Sequence, residues 1–559
     1  WRRWAPASPD TDNLATLFGL MVDLAGDTAW LAEIDDATLA RVASLLQAPE
    51  GTAPRDWRAP LARALRWLVR AAGAAALAPA MRERMNAPAN GEPPAFDQLE
   101  SAAMHLLQAL ERGEDWVPRA NYLRAVLDAA RQAAAGVRDH LRDHGVSADL
   151  LYQVQAVQQR LDRMEAVLDL LVSPQPARDF ATLLRTLAQA HRDGRSVRGL
   201  LAEHHGMLAT KLAERHALTG ERYVARDRAE YLDLLARAAG GGAVVAGTTL
   251  AKFGIVALGL APLWSGLASG MSYAASFLLI YLLHWTLATK QPAMTAAALA
   301  ARLSEVKGNR GRGARRAREA FVDETAALVR SQFASVLGNL GAVIPVMLAL
   351  QALSWWLLGR PLISPRAADH VLESLTLLGP TALFAAFTGV ILFVSSLVGG
   401  WVENAFVYQR LQSAIAHHPG LVERLGASRA QAWAQWWRRH VHGVASNLAL
   451  GLMLGLLPPL AAFAGLPLDV RHVTLSTGQL AAAVSTLGWA VMLEPVFWWC
   501  VAGIGVIGLF NLGVSFALSL HMAIRARGIS VRDRRALRRS LWRRARLAPG
   551  SFMWPPRSA

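Results

Sequence analysis

One cysteine, Cys500, stands among 559 residues. No intrachain disulfide can form, and a cysteine-built zinc knuckle is excluded. That economy suits a reducing compartment. Lysine is nearly missing too: Lys211, Lys252, Lys290 and Lys307 are four of the 58 Lys+Arg. The remaining positive charge is arginine, which together with abundant alanine and glycine fits a GC-rich bacterial gene. A Walker A loop and a dinucleotide fingerprint are both absent. Gly311-Arg312-Gly313 lacks the following Lys-Ser/Thr and follows no strand, so it reads as a flexible basic loop. Alternating strand patterns are lacking in the front half, which excludes an α/β core there. No cofactor, no metal site and no catalytic residue is expected from these patterns. The chain opens on Trp1, so a start beyond this one is expected, and no signal peptide is visible.

What is present divides in two. Residues 1–239 carry 29 Lys+Arg and 31 Asp+Glu, whereas residues 240–559 carry 29 bases and 11 acids. The formal net charge of +16 therefore comes from the apolar half. A nucleic-acid-binding domain concentrates its charge on a folded soluble surface. Here the excess sits between apolar segments, where Lys and Arg set membrane orientation.

The front half reads as amphipathic helices near 28–48, 57–85, 97–112, 119–143, 148–172, 177–191, 196–216 and 225–239. Leu150, Val154, Val157, Leu161, Met164, Leu168 and Leu171 make one stripe at spacings of three and four. A helical bundle or short solenoid is expected. His204, His205, Glu203, Glu214 and His216 read as solvated polar positions, because adjacent histidines on a helix point about 100° apart. Glu221, Tyr223, Arg228 and Tyr231 precede the membrane as a polar knot or docking surface.

Six windows are long and apolar enough to span a bilayer: 243–264, 266–287, 335–357, 377–400, 444–464 and 496–521. A seventh stretch, 477–493, is shorter and ends at Glu494-Pro495, and is expected to be interfacial. The fold class is then all-α: a cytosolic helical domain over 1–173, a juxtamembrane helical subdomain over 174–240, a membrane domain over 241–528 and a basic cytosolic tail over 529–559. With the front half in the cytosol, 289–330, 403–442 and 525–559 hold 9, 5 and 11 bases, while the opposite loops hold only Arg360, Arg366 and Arg471. That orientation obeys the positive-inside bias and predicts a bacterial inner-membrane protein. The arginine-rich tail and Trp542 suit anionic lipid, and nucleic acid is a weaker partner for it.

Each of three helical hairpins is expected to carry one polar residue followed by proline: Lys252 to Pro262, Asn339 to Pro345, Asn447 to Pro458. Asn339 and Asn447 read as helix-packing glue. Lys252 needs a partner in hydrocarbon, with Glu403 and Glu494 as candidates.

Three strings carry a resemblance: SFLLIYLLHWTLATKQPAMTAAALA (276–300), LTGERYVARDRAEYLDLLARAAGGG (218–242) and NLGVSFALSLHMAIRARG (511–528). Together they resemble the bacterial Gcr-type membrane protein family labelled "site-specific recombinase". The family motif would include Lys290, Gln291, Pro292, Glu221, Tyr223, Arg228 and Tyr231. The resemblance implies a multi-span inner-membrane protein with a large cytosolic front, and it implies the recombinase label. Residue chemistry does not support the label: none of the fifteen histidines has Arg three residues later, and tyrosine recombinases need an Arg/His cluster at the scissile phosphate. Three functions are therefore expected, in this order: a membrane-anchored platform that binds protein partners, a DNA recombination or accessory factor, and a small-solute or lipid transporter.

Overall fold

A computed structural model describes residues 58–85, 93–137, 148–173, 176–195, 224–290, 312–526 and 534–555, with isolated positions between 30 and 41 and at 295, 296 and 299. The stretches expected as helices at 28–48 and 196–216, and the histidines at 204, 205 and 216, lie outside or almost outside these. The described residues are helical, with no strand among them. The chain divides into two compact units, residues 1–205 and 206–559.

The first unit is a bundle of α1 (Arg58–Ala76), the short α2 (Pro79–Arg82), α3 (Ala95–Arg112), α4 (Val117–Gly136) and α5 (Ala148–Val172), followed by α6 (Pro176–Arg195). Around the ring, α1 packs on α3, α3 on α4, α4 on α5 and α5 on α1, which closes a bundle instead of a solenoid. The predicted stripe is its core: Leu150, Val154, Val157, Leu161, Met164, Leu168 and Leu171 are all buried, against Leu65, Leu99, Leu106 and Leu123. Burying such a side chain stabilises by about 1.5–3 kcal/mol, so this stripe dominates the unit. At the rim Arg131 bridges Asp128, Asp162 and Glu165, joining α4 to α5.

The second unit carries six helices long and apolar enough to cross a membrane. They are α7 (Arg228–Ala257), α8 (Pro262–Leu282), most of α9 (Arg312–Leu358), α11 (Thr381–Tyr408), α14 (Ala427–Phe463) and α16 (Pro495–Ala526). Between them lie α10 (Pro365–Leu375), α12 (Leu411–Ala416), α13 (Pro419–Leu425) and α15 (Val473–Leu487), and α17 (Arg534–Leu547) closes the chain. Asp227 caps α7 by accepting the Glu230 amide at 2.8 Å. The first turn falls at 258–261, not at 265 as expected, because Gly259 takes a left-handed conformation and Pro262 starts α8.

The end at which α7 begins is here called the near face, and the other the far face. Contacts fix the direction of each helix. α8 and α14 run antiparallel, Gly266 meeting Pro459 and Tyr281 meeting Gly443. α7 and α9 run parallel, and so do α11 and α16. The order is thus up, down, up for α7, α8 and α9, then down, up, down for α11, α14 and α16.

Two expectations need correction. The stretch 477–493 is interfacial only at its end, where Trp489 and Leu493 are exposed. Residues 473–487 form α15, buried among α7, α9, α10 and α16. It starts level with Asn511, midway along α16, where the Val473 amide donates to Asn511 Oδ1. It ends beside Gln351 near the far end of α9, where Gln351 Nε2 donates to the Ser485 carbonyl at 3.3 Å. The chain therefore leaves α14 at the far face, dips to mid-depth and climbs back. Its fifteen residues rise about 22 Å, too short for a span; Thr477 and Ser485 donate to carbonyls of their own helix and Thr486 accepts from Gln351.

The internal repeat is also not three hairpins. Asn339 Oδ1 accepts the Ala288 amide at 3.0 Å, and its Nδ2 donates to the Ala238 and Thr286 carbonyls at 2.6 and 2.9 Å. Asn511 Oδ1 accepts the Val473 amide at 3.1 Å, and its Nδ2 donates to the Ala385 and Arg471 carbonyls, both at 2.9 Å. The strings carrying these atoms align without gaps: 238–250 AAGGGAVVAGTTL with 385–397 AAFTGVILFVSSL, 286–300 TLATKQPAMTAAALA with 471–485 RHVTLSTGQLAAAVS, and 337–343 LGNLGAV with 509–515 LFNLGVS. Ala238, Thr286, Ala288 and Asn339 fall opposite Ala385, Arg471, Val473 and Asn511. The unit of repetition is two spans, a segment that reaches mid-depth (286–290 as far as described in the first copy, α15 in the second) and a third span. An odd number of spans inverts the second copy relative to the first. Gly242 and Gly389 occupy matching places, where a Cβ would collide with the Asn339 or the Phe510 carbonyl. The two copies meet at α8 and α14, where Gly270 sits on Gly455 and Gly451 on Ala274. Exchanging the copies returns the same crossing, so the pseudo-two-fold axis passes through it.

Exposed tryptophans collar both ends: Trp264, Trp355, Trp356, Trp489 and Trp498 at the far face, Trp285, Trp401 and Trp433 toward the near face. Indoles at two levels mark the interfaces of a bilayer.

Candidate functional site

The second copy of the repeat brings polar side chains into one column. At the near face Glu403, on α11, receives Arg438 of α14 at 3.2 Å and lies 3.6 Å from His442 Nδ1. One turn above His442 are Ser446 and Asn447. Lys290 reaches them from the chain after α8: its Nζ donates to Asn447 Oδ1 at 2.6 Å and to Ser446 Oγ at 3.4 Å. Asn447 is held by donating to the Gly443 carbonyl at 2.8 Å. Beside Lys290, Thr289 Oγ1 lies 2.8 Å from His472 Nε2, and both residues are buried. Beyond His472, Arg471 pairs with Asp469 at 2.5 Å, and these two charges act on Lys252 of α7. The series Arg438, Glu403, His442, Asn447, Lys290, Thr289, His472, Arg471 and Asp469 runs from the near face past mid-depth.

Local structure explains each placement. The turn that carries Ala288 to Lys290 is pinned by Asn339, whose amide group bonds the Ala288 amide and Thr286 carbonyl of the turn and ties them to the Ala238 carbonyl of α7. The backbone at 471–473 is pinned by Asn511 in the same way. Thr388 adds a bond, accepting the Arg471 amide at 2.8 Å. Non-helical backbone at this depth persists only where the protein itself satisfies it.

The column treats its charges unequally. Glu403 and Asp469 are each matched by an arginine. Lys290 bonds only to a neutral amide and a hydroxyl among the described residues. An ammonium without a carboxylate in such a place costs several kcal/mol of hydration. At mid-depth the Thr289–His472 hydrogen bond closes the column.

Of the residues singled out by sequence, Lys290, Asn447 and Glu403 lie along this column. Asn339 acts as packing and pinning glue between α7 and the turn at 286–288. Lys252 meets neither expected partner, for Glu403 takes Arg438 and Glu494 is exposed at the far end. Arg228 is exposed at the start of α7, and Tyr231 is buried against Trp554 with ring centroids 5.0 Å apart. Gln291, Pro292, Glu221 and Tyr223 lie outside the described residues. Sequence reasoning missed His472, Thr289, Arg438, His442 and Asn511. The signal was the likeness between 286–300 and 471–485, which brackets the first two.

A family model described as site-specific recombinase matches residues 1–555. The chain belongs to the site-specific recombinase family. No curated protein and no solved structure matches it. The family's description names DNA chemistry, and two of the described tyrosines, Tyr281 and Tyr231, are built into helix packing. Tyr281 Oη lies 3.0 Å from His440 Nδ1, on a ring that also packs against Trp436. Tyr231 lies beneath the C-terminal segment, where Arg330 donates to the Ser551 and Ala225 carbonyls. This member of the site-specific recombinase family thus spends those side chains on holding its membrane unit together.

Proposed function

We propose that the protein carries a small polar solute across the bacterial inner membrane, along the column of Glu403, Lys290, Asn447, Thr289 and His472. The observation that carries this reading is the inverted pair of three-span repeats, with the turn at 286–290 meeting the start of α15 at mid-depth. Transport proteins use such repeats, with broken or partial helices bounding a site near the membrane centre. The near face is the cytosolic one in this reading, because 25 bases lie in its loops against 3 at the far face. The exposed Trp542 of α17 and the arginines around it then lie against anionic lipid. Reconstitution into sealed vesicles tests the proposal: small polar probes should leave vesicles containing the protein faster than empty ones. Equal release of every probe would end this reading.

A second reading, a platform for protein partners, draws on the bundle of residues 58–172. That bundle closes its own core within a separate compact unit, which suits a binding domain joined to a membrane protein. DNA recombination, as the family's description has it, predicts strand cleavage or salt-sensitive DNA binding by the purified chain.

A further inference from the structure

We infer that the solute is a small monovalent anion, bound between Lys290 and the start of α15. The inference rests on the transport reading and names its substrate class. Its first support is charge. The carboxylates near the column, Glu403 and Asp469, are occupied by Arg438 and Arg471, while Lys290 has only Asn447 and Ser446. Lys252 adds a second half-buried cation on the far side, with no ion pair within 4.0 Å among the described residues. A cation in this position is stabilised by an anion and destabilised by a second cation.

The second support is the direction of α15. It starts at mid-depth and climbs to the far face, so its positive end points into the column. Half-helices that begin inside a membrane present this end to anionic groups of the solute. Around that end, buried hydrogen-bonding atoms lack partners among the described residues: His472 Nδ1 and Thr474 Oγ1, on side chains at most 2% exposed. A neutral imidazole and a hydroxyl can each donate to an anion. The third support is asymmetry. Where the first repeat has Lys290 and Leu287, the second has Leu475 and His472. The scaffold is duplicated, but the ammonium and the imidazole occur once each, on opposite sides of the Thr289–His472 contact. Such a site binds one anion asymmetrically and passes it only when that contact opens.

The test uses the full chain in sealed lipid vesicles, with release followed separately for chloride, nitrate, formate, potassium and urea. We expect at least one of the three anions to leave at least tenfold faster than potassium and urea. Lys290→Met should reduce that anion's release at least tenfold, and Lys290→Arg should keep most of it. Release of potassium or urea without an anion would overturn the anion assignment and leave the transport reading standing. Release of none of the five would remove both. Anion release unchanged by Lys290→Met would overturn the assigned site. If Lys290→Met fails to fold, the ratio of anion to potassium release by the natural protein still decides the substrate class.

Discussion

Replacing Asn511 with alanine removes three hydrogen bonds at once. Its Oδ1 holds the Val473 amide, and its Nδ2 holds the Ala385 and Arg471 carbonyls. Interhelical hydrogen bonds in membrane proteins contribute about 0.6–1.7 kcal/mol each, so the loss should total about 2–5 kcal/mol. The upper part of that range applies, because Val473 and Ala385, whose backbone groups are left behind, are buried. Asn339 makes the same three kinds of bond in the other repeat, so Asn339→Ala should cost a similar amount. Asn447 bonds to one side chain and to a carbonyl of its own helix, so Asn447→Ala should cost clearly less. The assay is thermal unfolding in mild detergent, followed by loss of the monodisperse chromatographic peak. For domains of 150–250 residues each kcal/mol moves the midpoint by about 2–4 °C, so the first two variants should melt several degrees below the natural protein. Equal midpoints for all three variants would refute the argument. So would a large shift for Asn339→Ala with none for Asn511→Ala, since the two side chains would then not be equivalent.

At the α8–α14 crossing, Gly455→Leu forces the helices apart. Overpacking costs about 1–3 kcal/mol or more, and the yield of monodisperse protein should fall sharply. Gly505→Leu, at a glycine with no atom within 4 Å of an added Cβ, is the matched control and should be tolerated. For orientation, Arg366→Cys should react with an impermeant thiol reagent from outside intact cells and His417→Cys should not, the natural Cys500 being buried. The reverse pattern would invert the topology. Trp554→Ala removes a ring pair with Tyr231 worth about 0.5–1.5 kcal/mol and should speed tryptic cutting at Arg543 and Arg544; unchanged cleavage would mean the segment is held elsewhere.

Much of this fold was legible from periodicity. The stripe from Leu150 to Leu171 is buried along its length, and the six apolar windows correspond to six long helices, although the first runs across the turn at 258–261. Hydropathy located the spans because the bilayer demands length and apolar content from each span alone. It misplaced 477–493 because a helix that dips and returns needs neither. α15 is short, it carries Thr474, Ser476 and Thr477, and it is packed among other helices rather than in lipid. The repeat was partly visible, since Asn339 and Asn447 both precede prolines, but that likeness is local. The telling comparison lies between Asn339 and Asn511, each answering to a backbone turn far away in sequence. The candidate site was the least legible part. Lys290 and Asn447 are 157 residues apart, and each looks ordinary until the turn at 288–290 brings them within 2.6 Å. His472 follows a basic residue in a short loop, and nothing in its neighbours announces burial.

The crossing of α8 with α14 has a consequence for how such a molecule could come apart. Each copy of the repeat ends in a face of small residues whose natural cover is the other copy, and the two faces are related by the axis that separates them. Self-complementary surfaces of this kind are those of a two-fold dimer. A chain cut between α9 and α10 would leave two pieces, each holding a Gly-rich seam that fits its sister. Either piece, alone in a bilayer, would offer that seam to a second molecule of itself, so the joined gene enforces unlike pairing between halves that could otherwise pair with their own kind. Only in the unlike pairing do Lys290 and His472 fall on opposite sides of one contact.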